Sequence, residues 1–552
     1  MTDKIRKLRE HVREYGLHGT AVAAADRILH RQQQEVPYER WLERSRPSSR
    51  DYARMSRKTL PREMVFAVRS YAQGGDRTAF MQSLSLQIYR NYLPLKDCRG
   101  SDYVLLCGSG CTLAPDLLWQ CARYLAEADG EIDLIYFDSD RIGEDGRKTD
   151  PAFRPEYDPD LLEQVNYMGH VVLVRIDAAK EAGLPTGSAG SFHTFLRRIC
   201  GKHAVRAGEE SGCPVRHIPK ILYHELAEDA REDAAPQESA QDPGNRGEGN
   251  VSSAAASSRP LVSVLIPNKD HTDDLARCII SLQQVNAWEN LEILILENNS
   301  EQPETFRFYE KLQKTDPRIR VLTYDRPFNY SAVNNFGAAN ASGSLLLLLN
   351  NDTVILEKDA ITRLACLALR DDVGAAGALL YYPDHTVQHA GIILGYGGIA
   401  GHAFAGEVSG RGPGVYPDLV FGHVHNVSAV TGACMMLRRS VFLKAGGFDE
   451  ELTVTFNDVD LCMRLRASSL RVLMCPAARL IHNESASRGS EDSPEKVARF
   501  HGEIRTFIRK WEKELEKGDP FYNPNLTLTG RSWTCRDELR ESVKPYVKYL
   551  KI

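Results

Sequence analysis

Between Gly343 and Thr353 the chain reads Gly-Ser-Leu-Leu-Leu-Leu-Leu-Asn-Asn-Asp-Thr. Five successive leucines, without the alternation of a half-exposed strand, describe a strand buried on both faces. Such strands belong to parallel sheets covered by helices, so this run selects an α/β architecture. Two amides and a carboxylate follow directly, Asn350, Asn351 and Asp352, with no turn glycine between. In open parallel sheets, ligands gather outside the carboxyl ends of strands. A lone carboxylate flanked by neutral oxygens suits a hard divalent cation shared with a substrate's phosphates. An Asx turn leading into the next helix is the plainer reading of the same residues.

The surroundings keep the α/β rhythm. Leu261–Ile266 reads as a strand ending in Pro267-Asn-Lys-Asp270, and a helix from about Asp273 carries Leu275, Cys278, Ile279 and Leu282 at helical spacing. Leu291–Leu296 is a second strand ending in Glu297-Asn-Asn-Ser300, and Arg318–Tyr324 is a third. A helix around residues 332–341 leads to the leucine strand. Strand–helix alternation of this length implies parallel pairing with crossover helices. The polar strand ends then share one edge, where a nucleotide would sit. No GxGxxG or Walker loop is present, which leaves dinucleotide and P-loop readings without support.

At 552 residues the chain has room for more than one domain. Residues 225–259 are rich in Ala, Ser, Glu, Asp, Gly and Pro and too poor in large apolar residues to bury a core, so they read as a flexible linker. A formal net charge of -5 argues against a nucleic-acid binder. The first sixty residues are locally basic, which suits either an anionic membrane surface or a solvated helical face. No run approaches the ~18 apolar residues of a membrane span, and the N-terminus lacks a signal peptide's apolar stretch. The twelve cysteines have no metal-type spacing. A cytoplasmic protein is expected, with contact at the inner face of the cell membrane as the peripheral alternative.

Further motifs follow in order. They are Phe328-Asn-Tyr-Ser-Ala-Val-Asn-Asn335, Val387-Gln-His-Ala-Gly391, Ala429-Val-Thr-Gly-Ala-Cys434, Gly446-Gly-Phe-Asp-Glu450, Asn457-Asp-Val-Asp-Leu461 and His482-Asn-Glu-Ser-Ala-Ser-Arg-Gly489. Together with the three polar strand ends, this ordered set resembles glycosyltransferases of family 2. More narrowly, it resembles bacterial two-domain enzymes that build rhamnose-containing and other cell-surface polysaccharides. The resemblance spans roughly residues 260–490 and implies a GT-A fold, a mostly parallel sheet with flanking helices.

What the resemblance implies for the site can be stated residue by residue. Pro267, Asn268, Asp270, Glu297 and Asn298 would hold the base and ribose of a UDP- or dTDP-linked sugar. Asn335, Asn350 and Asn351 would also face this donor. The family's Asp-x-Asp motif reads Asn350-Asn351-Asp352 here, so Asp352 is the expected ligand of Mn²⁺ or Mg²⁺. His482 matches a family histidine that completes the metal shell, and imidazole favours Mn²⁺. Read without the family, His482 is a capping residue. Asp458 falls at the family's general base, with Asn457 replacing the usual Glu; a carboxylate opening a helix also serves as a cap. Asp458 and Asp460 are two apart and cannot share a helix face, so only one is expected to do chemistry. His389, Thr431, Gly432, Ala433, Asn457 and Asp460 are expected around the sugar and acceptor, a glycan or lipid-linked glycan. Phe500, Ile504, Phe507, Ile508 and Trp511 lie at helical spacing and read as a packing helix.

The expected division is a helical region over 1–95 and a degenerate, truncated GT-A-like domain over 96–224. The linker over 225–259, the catalytic domain over 260–495 and a C-terminal helical extension over 496–552 complete it. In the degenerate domain Cys107-Gly-Ser-Gly-Cys111 stands where an acidic cluster is expected, and Gly187-Ser-Ala-Gly-Ser-Phe192 lacks a carboxylate for a base. The leading function is a metal-dependent inverting transfer of a sugar. A non-catalytic glycan-binding or scaffold subunit is the alternative, since Asn350 and Asn457 replace acids.

Overall fold

The computed structural model describes residues 36–71, 77–94, 100–108, 110–185, 188–201, 213–226, 259–408, 416–483, 493–537, 539, 541–542 and 544–547. The basic residues before 36 and most of the linker lie outside these, as do residues 484–492 after His482.

Two sheets organise the molecule. The first contains β1 (Phe66–Ser70), β2 (Tyr92–Pro94), β3 (Tyr103–Cys107), β4 (Cys111–Leu113), β5 (Leu134–Ile142), β6 (Lys148–Ala152), β7 (Val171–Arg175) and β8 (Val215–Leu226). The main strands of the second are β9 (Val262–Asn268), β10 (Leu291–Glu297), β11 (Ile319–Thr323), β12 (Leu345–Leu349), β13 (Thr353–Ile355) and β14 (Val373–Tyr381). It is completed by β15 (Val387–His389), β18 (His425–Asn426), β19 (Cys434–Arg438) and β20 (Arg471–His482). A separate hairpin pairs β16 (Ile392–Leu394) with β17 (Ala400–His402).

Strand β12 is the leucine run. All five leucines are buried, because β9 pairs with it in parallel on one side and β19 antiparallel on the other. Leu346 and Leu348 enter the core on one face of the sheet, and Leu345, Leu347 and Leu349 enter the other. Truncating one of them, for example Leu347→Ala, would cost about 2–5 kcal/mol. The strand is entered through Gly343. A Cβ there would lie 2.6 Å from Ser263 Oγ and 2.7 Å from Leu261 O, so only glycine permits the approach. The Gly343 N–H donates to Ser263 Oγ at 2.8 Å.

The second sheet runs β11-β10-β9-β12-β19-β14-β20-β13, and the first runs β2-β1-β3-β7-β5-β8-β4. Among the described residues the orders coincide strand for strand, except that the first shows no equivalent of β11. This corrects two expectations. Residues 66–94 contribute strands β1 and β2 and are not simply helical, and the first domain therefore starts near residue 66 rather than 96. It retains both halves of the fold in shortened form. The C-terminal extension is also only partly helical. A helix over Pro494–Lys517, with Trp511 out of helical geometry, gives way to turns and an isolated bridge between Leu526 and Cys535.

The two domains are held by buried polar contacts. Asp158 accepts from the Asn426 N–H at 2.8 Å and from its Nδ2 at 2.6 Å. Asp160 pairs with Arg370 at 2.6 Å and Arg471 at 3.1 Å. From the C-terminal segment, Asn523 donates to Asp138 at 2.9 Å and to the Arg154 carbonyl at 2.9 Å.

Candidate active site

A cavity of about 440 Å³ opens at the carboxyl end of β12, within the range of small-ligand sites. Asn350, Asp352, His482, Thr431, Gly432, Ala433, Asn457 and Asp458 all line it. Residues from separate stretches of sequence thus meet at one cavity. The register explains part of this. Thr353 of β13 pairs with His482 of β20, which sets the imidazole beside Asp352.

Asp352 is buried, and its Oδ1 lies 3.1 Å from His482 Nε2. His482 Nδ1 lies 2.8 Å from Gln388 Oε1, so Nδ1 carries the proton and donates to Gln388. Nε2 then presents a lone pair towards the carboxylate. Oδ1 of Asp352 has no hydrogen-bond donor. An imidazole nitrogen and a carboxylate oxygen side by side in a buried site offer two ligands to one cation. The pair therefore fits a divalent metal, with nitrogen and oxygen as Mn²⁺ accepts. Asn350 contributes a neutral amide: its Nδ2 lies 3.2 Å from His482 Nε2, and its Oδ1 lies 3.3 Å from the Tyr330 hydroxyl. Among the described residues no three of His, Cys, Asp or Glu converge, so remaining ligands would come from phosphate oxygens and water.

Asp458 occupies the first turn of the Asn457–Ala467 helix and lines the cavity. Its Oδ2 accepts from the Gly432 N–H at 2.9 Å and its Oδ1 from the Val459 N–H at 2.8 Å. These bonds fix the carboxylate against the Thr431-Gly432-Ala433 turn. Asp460 is different. It is fully buried, binds Arg464 at 2.8 Å, Trp511 Nε1 at 3.0 Å and Lys510 at 2.6 Å, and does not line the cavity. The expectation of Asp460 at the acceptor pocket is corrected: it anchors the C-terminal helix to the Asn457–Ala467 helix. His389 also lies off the cavity, fully buried behind its wall. Burial, with His402 and His482 near, pushes the His389 imidazole well below its ordinary value. Neutral His389 accepts from the Thr431 N–H at 3.4 Å through Nε2, leaving Nδ1–H to donate to His402 Nδ1 at 2.9 Å.

The residues expected to hold the base and ribose stand at or just past the ends of β9 and β10 and away from the cavity walls. Several are committed to the protein. Glu297 accepts from the Ser300 N–H and Oγ, both at 2.6 Å, and from Tyr309 at 2.5 Å. Asp270 accepts from the Gln302 N–H at 3.0 Å and the Thr305 hydroxyl at 3.0 Å, at the start of the Pro303–Thr315 helix. Burial raises the Asp270 carboxyl, but bonds from Gln302, Glu301 and Thr305 outweigh it and hold it below the usual carboxylate range. Asn351 donates to Asn268 at 2.6 Å, tying the ends of β12 and β9. Pro267 ends β9 beside Asn268, and Asn298 Oδ1 is buried without a donor. Asn335 is corrected outright. Its amide holds the Phe448 backbone at 2.8 and 3.0 Å, so it stabilises the Gly446–Glu450 turn instead of facing a donor.

Among the cavity residues that escape sequence reasoning are Tyr330, Gln388, Phe456 and Phe500. Tyr330 and Gln388 sit inside motifs quoted above, at positions that hydropathy assigns to helix and strand. Helical spacing assigns Phe500 to packing only. It is 37% exposed and, with Val497, walls the cavity from the C-terminal helix.

The register also reveals what the first domain has lost. Cys107 pairs with Val171 as Leu349 pairs with Cys434, and Cys111 pairs with Glu225 as Thr353 pairs with His482. Gly108 and Gly110 therefore occupy the places of Asn350 and Asp352, and Glu225 that of His482. Ala189 and Gly190 open the helix that corresponds to Asn457–Ala467. Tyr71, stacked on Phe192 with centroids 4.2 Å apart, fills the space over Gly108. A Cβ on Gly108 would lie 3.1 Å from its hydroxyl.

Strand order, a polar strand end carrying Asp352, and a helix-borne carboxylate across the cavity define a GT-A nucleotide-diphospho-sugar transferase fold. Residues 263–445 match the family model for glycosyl transferase family 2. The resemblance read from the motifs is thus borne out. An uncharacterized protein, y4gI, of Sinorhizobium fredii is 34% identical over 459 residues, covering 77% of this chain and 48% of its own length. The O-antigen biosynthesis protein RfbC of Myxococcus xanthus is 38% identical over 470 residues, covering 78% of this chain and 34% of its own. The chain thus spans about half or less of these curated relatives. An N-acetylglucosaminyl-diphospho-decaprenol L-rhamnosyltransferase of Mycobacterium tuberculosis is 29% identical over 143 residues, 24% of this chain and 45% of its own. Among solved structures, GalNAc-T7 with UDP, GalNAc and Mn²⁺ overlaps 47% of this chain and 49% of its own, at 14% identity and a TM-score of 0.38.

Proposed function

We propose that this protein is a metal-dependent inverting glycosyltransferase. It would move a sugar from a nucleotide-diphosphate donor to a surface polysaccharide or a lipid-linked glycan. The observation that carries the reading is the cavity shared by Asp352, His482 and Asp458. Asp352 and His482 would hold the metal, which when bound neutralises negative charge on the donor's diphosphate. Asp458, held by the Gly432 and Val459 N–H groups, would accept the proton of the attacking acceptor hydroxyl. Because acceptor and leaving diphosphate occupy opposite sides of the transferred sugar, one displacement inverts its anomeric carbon.

The names of the relatives support polysaccharide assembly, and rhamnose is the sugar to try first. No helix among the described residues is long and apolar enough to cross a membrane. The first domain, with glycines at the metal positions and at the base position, would support the acceptor or the fold and not bind a donor. The test is a screen of UDP- and dTDP-sugars with purified protein, following nucleotide release with Mn²⁺ and with chelator. Absence of metal-dependent release across the screen would favour the scaffold alternative.

A further inference from the structure

Part of the cavity wall comes from outside the matched family segment. Phe456 immediately precedes the helix that carries Asp458 and adopts φ 63°, a left-handed conformation costly for an aromatic residue. Its ring packs on Phe507, 5.2 Å between centroids, and stacks with Phe500 at 6.1 Å and 26°. Phe507 is fully buried, whereas Phe500 is 37% and Val497 41% exposed, and both line the cavity.

The geometry is held from behind. Glu503, three residues after Phe500 and 3% exposed, accepts from the N–H groups of Val454 and Thr455, each at 3.0 Å, and from the Thr453 hydroxyl. One buried carboxylate thus joins the Pro494–Lys517 helix to the segment entering Phe456. Asp460 makes the second join through Trp511 and Lys510. Phe500 is therefore fixed relative to Asp458 and is not an exposed residue on a loose helix.

We infer that Phe456 and Phe500 form a platform on which the acceptor's sugar ring stacks by its apolar C–H face. The inference rests on the proposed transfer reaction, since it names the acceptor's subsite. The same cavity carries His402, Thr431, Thr455, Asn457 and Gln388. An apolar ring face bordered by hydrogen-bonding groups matches a pyranose, which has an apolar face and a rim of hydroxyls. Placing the ring on Phe500 would orient its hydroxyl towards the base, a positioning that free diffusion does not provide.

The test uses saturation-transfer NMR on the full chain with methyl glycosides of rhamnose, glucose and N-acetylglucosamine, and with octyl glucoside. The wild type should saturate the ring protons of at least one glycoside. Phe500→Tyr should retain this, and Phe500→Leu, which keeps apolarity but not the flat face, should weaken binding about tenfold. Three results would overturn the platform: no glycoside bound by the wild type, equal binding by the Leu variant, or saturation confined to the octyl chain. Donor consumption, measured separately, keeps the two proposals apart. Ring binding that depends on Phe500 without any donor turnover would sink the transfer reaction and leave a glycan-binding platform.

Discussion

Replacing Asp352 with Asn should separate metal binding from folding, and the two effects have opposite signs. In the metal-free protein, Asp352 Oδ1 is a buried acceptor without a donor, facing the Nε2 lone pair of His482 at 3.1 Å. A buried unpaired polar atom costs about 1–3 kcal/mol. The Asp352→Asn change removes the charge and offers an amide N–H to His482, so in chelator the variant should match or exceed the wild type by about 1 kcal/mol. With free Mn²⁺ a hundredfold above its dissociation constant, the wild type should gain about 2.7 kcal/mol and the variant almost nothing. Urea unfolding of the full chain at pH 8, followed by hydrogen exchange at the β12 and β20 peptides, reads both quantities. Equal stabilisation of both proteins by Mn²⁺ would refute the metal assignment. A loss of several kcal/mol by the variant in chelator would mean that the carboxylate is paired and structural.

Asp458→Asn should lower kcat by at least ~10² with the donor KM nearly unchanged, since the carboxylate acts on the acceptor proton; loss of donor binding with retained turnover would reassign it. Calorimetric titration with the consumed donor and Mn²⁺ should give one site per chain, because the first domain has Gly108 and Gly110 at the metal positions; two equivalent sites would contradict that register. Burial alone would lower the pKa of His217, but Asp138, 2.9 Å away, and Glu156 outweigh it and raise it to about 9. The folded pKa lies above the unfolded one, so this stabilisation is complete below about pH 6.5 and is lost as pH rises through about 9. The first domain's urea midpoint should fall over that window, and His217→Gln should flatten the fall; an unchanged slope would remove His217 from the account.

The sequence was most legible where side chains have one job. The leucine strand, its polar end, His482 and Asp458 came from pattern and motif, and the cavity gathers them. Reading failed where a polar residue in a motif serves the scaffold. Asp460 and Asn335 carry the residue types of a site, yet their oxygens are spent on Trp511, Lys510 and the Phe448 backbone. Composition cannot distinguish a carboxylate awaiting a ligand from one already satisfied. Phe500 failed in the opposite sense: helical spacing assigned it to the core, while its place beside the cavity leaves it exposed. Strand β2 was missed because three residues carry no periodic signal, and β1 because its short apolar run suits a helix as well as a strand.

The duplicated strand order explains why such a first domain persists without its site. A GT-A sheet needs its strands paired and both faces covered, and none of that depends on the strand-end ligands. Glycine at 108, 110 and 190 removes the reactive groups without disturbing β3, β4 or the Ala189–Cys200 helix. The vacated space is closed by Tyr71 on Phe192. The surface facing the second domain carries buried charge. Asp158 and Asp160 are both buried; burial first and Asp160 second raise the Asp158 carboxyl to about 6. That arrangement is tolerable only while Asn426, Arg370 and Arg471 of the second domain remain in place. Breaking one partner should therefore cost more than a surface ion pair: Arg370→Ala would leave Asp160 with only Arg471 and Asn426 and lose about 1.5–3 kcal/mol. Simultaneous Asp160→Asn should recover much of that loss. If Arg370→Ala proves neutral in urea unfolding, the domains do not depend on this cluster, and the first domain's hold on the second must come from its apolar contacts and the C-terminal segment alone.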